Sequence, residues 1–366
     1  MNCVYLRGQQ NLTSTPLLKD RKPESARMKQ TAPTIKEIAK MLNLAVSTVS
    51  RALHNSEDIS PATTKRVKDV ALELGYEPNQ TALFLRSGKT LTLGVILPHL
   101  SEAFFSEAIS GIEDYASEHN YNLLMGQSHD DTERERKIVE AMKNHRVDGI
   151  LVSIAKNTND VEHFDILKKY NIPVVFFDRV PDRKEAHTVT CKVEAGMQEA
   201  VEFLVKGGHS RIAFINGPQA LLTTKDRLTG FERALRLHHV QFNPEFVAHS
   251  DLLPETTHRA MQRLLTLKPG PTAVITFNDY VALDAMQYAR KMNIRINKDI
   301  SFVSFANLPA CHYMENPPLA SVEQFPYRQG QRATEMLLNI LNLPKNGRQN
   351  GTYNKIILEP RLFIHK

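Results

Sequence analysis

The chain has 366 residues, 42% hydrophobic and 23% charged, with a formal net charge of +6, enough apolar content for two or three packed domains. No apolar run approaches the roughly 18 residues needed to span a bilayer, and the first 30 residues lack the apolar stretch of a secretory signal; both observations argue against membrane and secreted classes. The three cysteines, Cys3, Cys191 and Cys311, are far apart and at no metal-ligand spacing, so reduced thiols in a cytoplasmic protein, with no metal and no cofactor, are expected.

The charge is unevenly placed. Residues 1–91 hold 14 Lys and Arg against 8 Asp and Glu, whereas residues 92–366 hold 32 of each. A basic module on a neutral body is the footprint of a phosphate-backbone binder. Residues 1–27 are polar and aperiodic, and the segment 1–31 is expected to be a disordered extension; Arg7, Lys19, Arg21, Lys22 and Arg27 leave a minor-groove arm as the alternative. From Ile35 the pattern becomes ordered. Ile35, Ile38, Ala39 and Leu42 recur at helical spacing and form one apolar stripe. Asn43 suits a left-handed turn, and a second helix starts near Ala45. At 100° per residue, Val49, Ala52 and Leu53 fall on one side of it and Val46, Ser47, Ser50 and Arg51 on the other. The first set can pack on the preceding helix; the second is free to enter a major groove, where Arg51 can read guanine bidentately beside the adaptable Ser47 and Ser50 hydroxyls. An ordinary surface helix hairpin is the competing reading. A third helix has Ser60 as N-cap, Pro61 in its first turn and Gly75 at its stop, with Val67, Val70, Ala71 and Leu74 as the apolar stripe. These helices make a helix-turn-helix domain over 32–78. The segment Gln80–Arg86 is too short for a stable isolated helix and is expected to be a hinge within a linker over 79–90.

Four motifs stand in order: T-V-S-R-A-L-H-N-S from Thr48, I-S-P-A-T-T-K-R-V from Ile59, E-L-G-Y-E-P-N from Glu73, and A-L-F-L-R-S-G-K-T from Ala82. Together they resemble the LacI/GalR family of bacterial repressors. The resemblance implies that Val46, Ser47 and Arg51 occupy base-reading positions. It also implies that Leu85 is the hinge leucine wedged into the central minor-groove step of an operator, bending the duplex, with small Ala82 one turn earlier allowing two hinge helices to approach. Family members usually begin near Met28-Lys29-Gln30. Ala45 departs from the pattern, standing where the family has an N-capping Ser, a loss of about 1 kcal/mol.

Beyond residue 91 short apolar runs alternate with longer amphipathic ones. Strand candidates are Leu93–Leu97, Asn122–Met125, Gly149–Ser153, Val174–Phe177, Ile212–Ile215, Ala273–Phe277 and Ile300–Phe305; helical stretches include Glu133–His145, Ala195–Lys206, Glu255–Leu267 and Tyr280–Met292. This alternation argues for α/β doubly wound parallel sheets, too many strands for one small sheet. The resemblance implies the bilobed periplasmic-binding-protein-like fold over 91–366, with crossovers near 190, near 321 and near 345–352. Lobe one would then be 92–190 plus 322–346, and lobe two 191–320 plus 352–366.

Ligands of open α/β sheets bind beyond the carboxyl ends of the strands. The residues there are Phe104 and Phe105, Asp178 and Arg179, Thr223 and Arg227, and Asn278 and Asp279. An aromatic wall with carboxylate, guanidinium and amide suits a sugar, and the resemblance places Phe104, Asp178, Arg179, Arg227 and Asn278 at effector-contacting positions. Phe105 fits core as well as pocket, Asp279 fits a helix cap as well as a ligand contact, and Arg227 fits a surface ion pair. Ala306 replaces the Asp that many relatives carry, which removes a hydroxyl acceptor. Enzyme signatures are absent: no G-x-S-x-G, H-E-x-x-H, P-loop or G-x-G-x-x-G after the first strand, and no histidine cluster at ligand spacing. The expectation is a non-enzymatic, homodimeric transcriptional regulator, most simply a repressor. It would bind inverted-repeat operator DNA, and a small molecule, a sugar or sugar derivative, held between the lobes would modulate it. The alternatives are control by a protein co-regulator, or a cytoplasmic sugar-binding protein that does not act on DNA.

Overall fold

Three short helices open the described part of the chain because three apolar stripes have nothing else to cover them. The computed structural model describes residues 33–77, 88–344 and 351–365; the N-terminal extension and the hinge with Ala82 and Leu85 lie outside these residues. Helices α1 (Ile35–Leu42), α2 (Val46–Leu53) and α3 (Pro61–Glu73) enclose Ile38, Ala39, Val49, Ala52, Val67 and Ala71. Thr34 N donates to Glu37 Oε2 at 2.6 Å at the start of α1, and Asn43 takes the left-handed conformation, φ 50°, that ends it. Ser60 Oγ accepts from Thr63 N at 3.3 Å, as an N-cap should, while Ala45 offers α2 no side-chain cap. These helices belong to one compact unit, and the sheets that follow to another.

Among the described residues, the second unit contains twelve strands in two six-stranded sheets. The first has the order β11-β5-β4-β3-β1-β2 and the second β12-β10-β9-β8-β6-β7. The strands are β1 (Thr92–Leu97), β2 (Asn122–Gln127), β3 (Gly149–Val152), β4 (Val174–Phe177), β5 (His187–Cys191), β6 (Ile212–Asn216), β7 (Val247–His249), β8 (Ala273–Thr276), β9 (Ser301–Phe305), β10 (Ala320–Glu323), β11 (Lys355–Leu358) and β12 (Arg361–Ile364). All neighbours are parallel except β10 and β12. Parallel strands need helical crossovers that cover both faces, so each sheet carries a core on either side. Helix α4 (Ala103–Glu118) crosses the C-terminal helix Pro326–Asn342 closely. Gly111 and Gly330 make this approach possible, because a methyl on either would collide with the carbonyl oxygen of Tyr327 or Ala108 respectively.

The chain passes between lobes three times, after β5, after β10 and after β11. The third passage corrects the expectation of a crossover near 345–352. Lys355–Leu358 pairs in parallel with Thr188–Cys191 on the edge of the first sheet. The chain changes lobe only across Glu359-Pro360, to pair antiparallel with β10. The assignment of 352–366 to lobe two therefore holds only from β12 onward, and Val322–Glu323 belong to lobe two. Five strands, β5, β7, β10, β11 and β12, were not among the expected seven. They are short and mostly polar or mixed in composition, and their β character comes from pairing rather than from an apolar run.

Candidate functional site

On α2 the buried residues Val49 and Ala52 fix which face is turned inward. Val46 and Ser47 are exposed and Ser50 is half-buried on the opposite face. Arg51 is held only loosely: Nε lies 3.4 Å from Ser47 O, and one terminal nitrogen lies 3.9 Å from Asp58 Oδ2 with both side chains well exposed. An exposed pair of this kind is worth about 0–1 kcal/mol, so the guanidinium is available to a stronger, bidentate partner. Lys65, Arg66 and Lys68 remain on the outside of α3.

In the second unit, seven of the eight expected pocket residues line one cavity of about 50 Å³, room for only a few waters. Lobe one supplies Phe104, Phe105, Asp178 and Arg179; lobe two supplies Thr223, Arg227 and Asn278. Phe105 serves both roles considered for it. It is fully buried in the lobe-one core, and its ring lies 5.5 Å beneath the Arg179 guanidinium. The eighth residue, Asp279, is corrected: it does not line the cavity. Asn278 is the N-cap, accepting from Val281 N at 2.9 Å, which turns the next side chain inward. There Asp279 accepts from Leu308 N at 2.6 Å, from Ser321 Oγ at 2.6 Å and from Ser304 Oγ. Burial pushes its carboxyl up to about 6, against the pull of these donors.

Arg227 sits between the rings of Phe277 and Phe305, 4.0 and 4.5 Å from their centroids. One terminal nitrogen donates to Phe277 O at 2.8 Å and the other to Gln324 Oε1 at 3.2 Å, while the buried Nε has no hydrogen-bond partner. Burial holds its pKa down to about 10, and Asp178 opposes that shift. It is therefore a pocket residue and not a surface ion-pairing one. Asp178 takes a left-handed backbone, φ 57°, as the chain turns out of β4. Burial raises its carboxyl to about 6; Arg179 and Arg227 pull it back only in part, and Glu102 adds to the rise. Among the described residues its one side-chain hydrogen bond is long, from Ser153 Oγ at 3.4 Å. An acceptor this poorly satisfied at a cleft floor can take a donor from a ligand. Glu102, in the candidate stretch after the first strand, also lines the cavity, as do Phe277, Tyr280, Leu308 and Gln324, which were not expected there. Only Glu102 carried a readable signal, since it precedes the helix that begins at Ala103. Ala306 lines the cavity too, at φ 96°, and contributes a methyl where a carboxylate would accept.

Comparison with known proteins matches residues 34–79 to the family described as bacterial regulatory proteins, lacI family. Residues 90–365 match the periplasmic binding proteins and sugar binding domain of LacI family. The HTH-type transcriptional repressor CytR of Escherichia coli is 32% identical over 86% of this chain and 91% of its own length. The HTH-type transcriptional repressor PurR of Aliivibrio fischeri is 32% identical over 83% of this chain and 90% of its own. The crystal structure of the lac repressor dimer bound to operator and the anti-inducer ONPF superposes with a TM-score of 0.77 at 23% identity, covering 91% of this chain and 98% of that one.

Proposed function

The chain belongs to the LacI family of bacterial regulatory proteins, and from that membership we propose that it is a repressor that grips an inverted-repeat operator as a homodimer and changes that grip when a small molecule enters the cleft between its lobes. The cargo is a sugar or sugar derivative. The observation that carries this reading is the pairing of two separately built surfaces in one chain. One is a helix whose outward face, Val46, Ser47, Ser50 and Arg51, lies opposite the buried Val49. The other is a cavity to which each lobe contributes aromatic and charged groups. Its curated relatives are repressors, and no catalytic role is assigned to any residue. No helix among the described residues is long and apolar enough to cross a membrane, and we place the protein in the cytoplasm, on the nucleoid when DNA-bound.

Within this reading Leu85 and Ala82 form the minor-groove hinge, and Phe104, Asp178, Arg179, Thr223, Arg227 and Asn278 contact the effector. The ligand acts only through different affinity for two lobe arrangements. Selection from random duplex DNA tests the first half: an inverted-repeat consensus is expected, and the absence of any consensus would refute DNA reading by α2. Calorimetry of the full chain against a panel of sugars, sugar phosphates and nucleosides tests the second half, and no heat from any of them refutes the cleft.

A further inference from the structure

Behind the cleft, the turn that follows β3 is clamped by two buried carboxylates. Asp130 accepts from Lys156 N at 2.9 Å and from a terminal nitrogen of Arg179 at 2.6 Å. Glu135, fully buried, accepts from Ala155 N at 2.7 Å and from Thr158 Oγ1 at 2.9 Å, with His163 Nε2 at 2.9 Å. Asp130 comes from the passage between β2 and the next helix, where His129 and Asp130 are successively left-handed at φ 54° and 59°, and Glu135 comes from the first turn of that helix. Two consecutive non-glycine residues in that region persist only where their surroundings hold them, and here the bonds to Asp130 do so. The clamped turn presents Lys156 across the cleft, where its Nζ donates to Asp251 O of lobe two at 3.1 Å. The acceptor end is fixed as well. Asp251 N donates to Thr256 Oγ1 at 3.1 Å, Leu252 N donates to Ser250 Oγ at 3.1 Å, and Ser250 Oγ shares a hydrogen bond with Thr257 Oγ1 at 2.8 Å.

We infer that Asp130 couples the cleft to lobe closure: one carboxylate fixes both Arg179, which lines the cavity, and the turn from which Lys156 latches onto Asp251 of the other lobe. The coupling rests on the cleft being the ligand site. A buried Arg–carboxylate bond is strong and directional, so a ligand group that draws Arg179 towards the cavity also draws on Asp130. The same displacement reaches Lys156 through its backbone N–H. The only other hydrogen bond we find across the cleft among the described residues, Ala103 N to Tyr280 Oη, is longer at 3.5 Å, which leaves Lys156 as the firmer tie.

The test uses the unliganded full chain with nitroxides at Glu133→Cys and Glu255→Cys, exposed positions on the two lobes, and with Cys3→Ser; Cys191 and Cys311 are buried and resist labelling. Electron–electron resonance then reads the inter-lobe distance. Lys156→Met keeps the backbone bond to Asp130 but loses the latch, and the closed-to-open ratio should fall roughly two- to fivefold, the worth of one solvent-accessible charged contact. Lys156→Arg should restore the ratio. Asp130→Asn should reproduce the fall, and the double variant Asp130→Asn/Lys156→Met should go no further than the larger single change, because both act through one turn. An unchanged distance in Lys156→Met, or full additivity in the double variant, overturns the coupling; if Asp130→Asn does not fold, Lys156→Met and its Arg rescue decide alone. No ligand is used, so silence in calorimetry with intact distance shifts would refute the ligand cleft and leave the latch standing.

Discussion

Asp178→Asn should stabilise the unliganded protein at neutral pH. In the folded chain the carboxyl titrates at about 6, against an ordinary value of 3.8, because burial outweighs the attraction of Arg179 and Arg227. A group whose folded pKa lies above its unfolded one binds protons more tightly in the native state. The contribution of this group to stability is therefore highest below about pH 4, falls as pH rises through about 6, and stays at the lower level beyond that. Each pKa unit corresponds to about 1.4 kcal/mol. Allowing for the residual exposure of the side chain to the cleft, the cost of keeping this charge in the unliganded protein is about 1–3 kcal/mol above pH 6.5. Asn has nearly the same shape and carries no charge, and its amide oxygen still accepts the long hydrogen bond from Ser153 Oγ, at 3.4 Å; what it forfeits is the attraction of Arg179 and Arg227, which the net shift already includes.

The assay is denaturant unfolding of wild type and variant between pH 4 and 8, followed by a probe in the lobes. The two midpoints should coincide near pH 4, and the variant's advantage should open between about pH 4.5 and 6.5 and then level off. A variant that is less stable than wild type at pH 7.5, or a difference that does not change with pH, would refute the claim that Asp178 is held charged at a cost. The same substitution should remove the ligand response, since stability gained by erasing a functional charge is gained at the expense of the site.

Arg51→Ala should weaken specific operator binding by about 1–3 kcal/mol and relax preference at one base pair per half-site, while non-specific binding at matched salt changes little; competition gel shifts measure this. Ala45→Ser should supply the missing N-cap of α2 and raise the stability of the helical unit by about 1 kcal/mol, read from its melting transition. Leu85→Ala should reduce operator bending and specific affinity with dimerisation intact, as judged by a circular-permutation gel shift beside sedimentation. Arg227→Ala should leave operator binding near normal and bring the ratio of affinities with and without ligand towards one; a full response in the variant would mean that the cleft works without it.

The parts of the fold carried by local chemistry were legible. Ser60, Pro61 and Gly75 bracket α3, Asn43 closes α1, and Val49 and Ala52 orient α2, because caps, turns and 100° steps act within a few residues. Strand β5 was not legible. His187-Thr-Val-Thr-Cys191 reads as a polar loop, yet it is a buried strand whose imidazole accepts from Asn354 N at 3.2 Å, a partner 167 positions away. Strand β11 was assigned to the wrong lobe for the same reason: Lys355–Leu358 has no pattern that selects between two sheet edges. At the cleft, sequence picked out seven residues that line one cavity but could not separate Asn278 from Asp279, both of them helix-capping types one residue apart. Gln324 and Phe277 are visible only through Arg227, which needs an acceptor on either side once it is buried.

The polar groups of the cleft bear on how the proposed switch works. The cavity is about 50 Å³, and the hydrogen bonds of Lys156 and Tyr280 cross from one lobe to the other. Within the proposed function, the cleft holds a donor and an acceptor that are poorly used among the described residues: Arg227 Nε without a partner and Asp178 with one long bond. A ligand hydroxyl that donates to Asp178 offsets part of the 1–3 kcal/mol the charge costs (by the pKa argument above). It does so only in lobe arrangements that bring Asp178 and Arg227, residues of different lobes, to the same molecule. A coupling of about 1–3 kcal/mol gives a change of roughly 5- to 150-fold in operator affinity. The cost of the Asp178 charge and a typical allosteric coupling are thus of one order of magnitude.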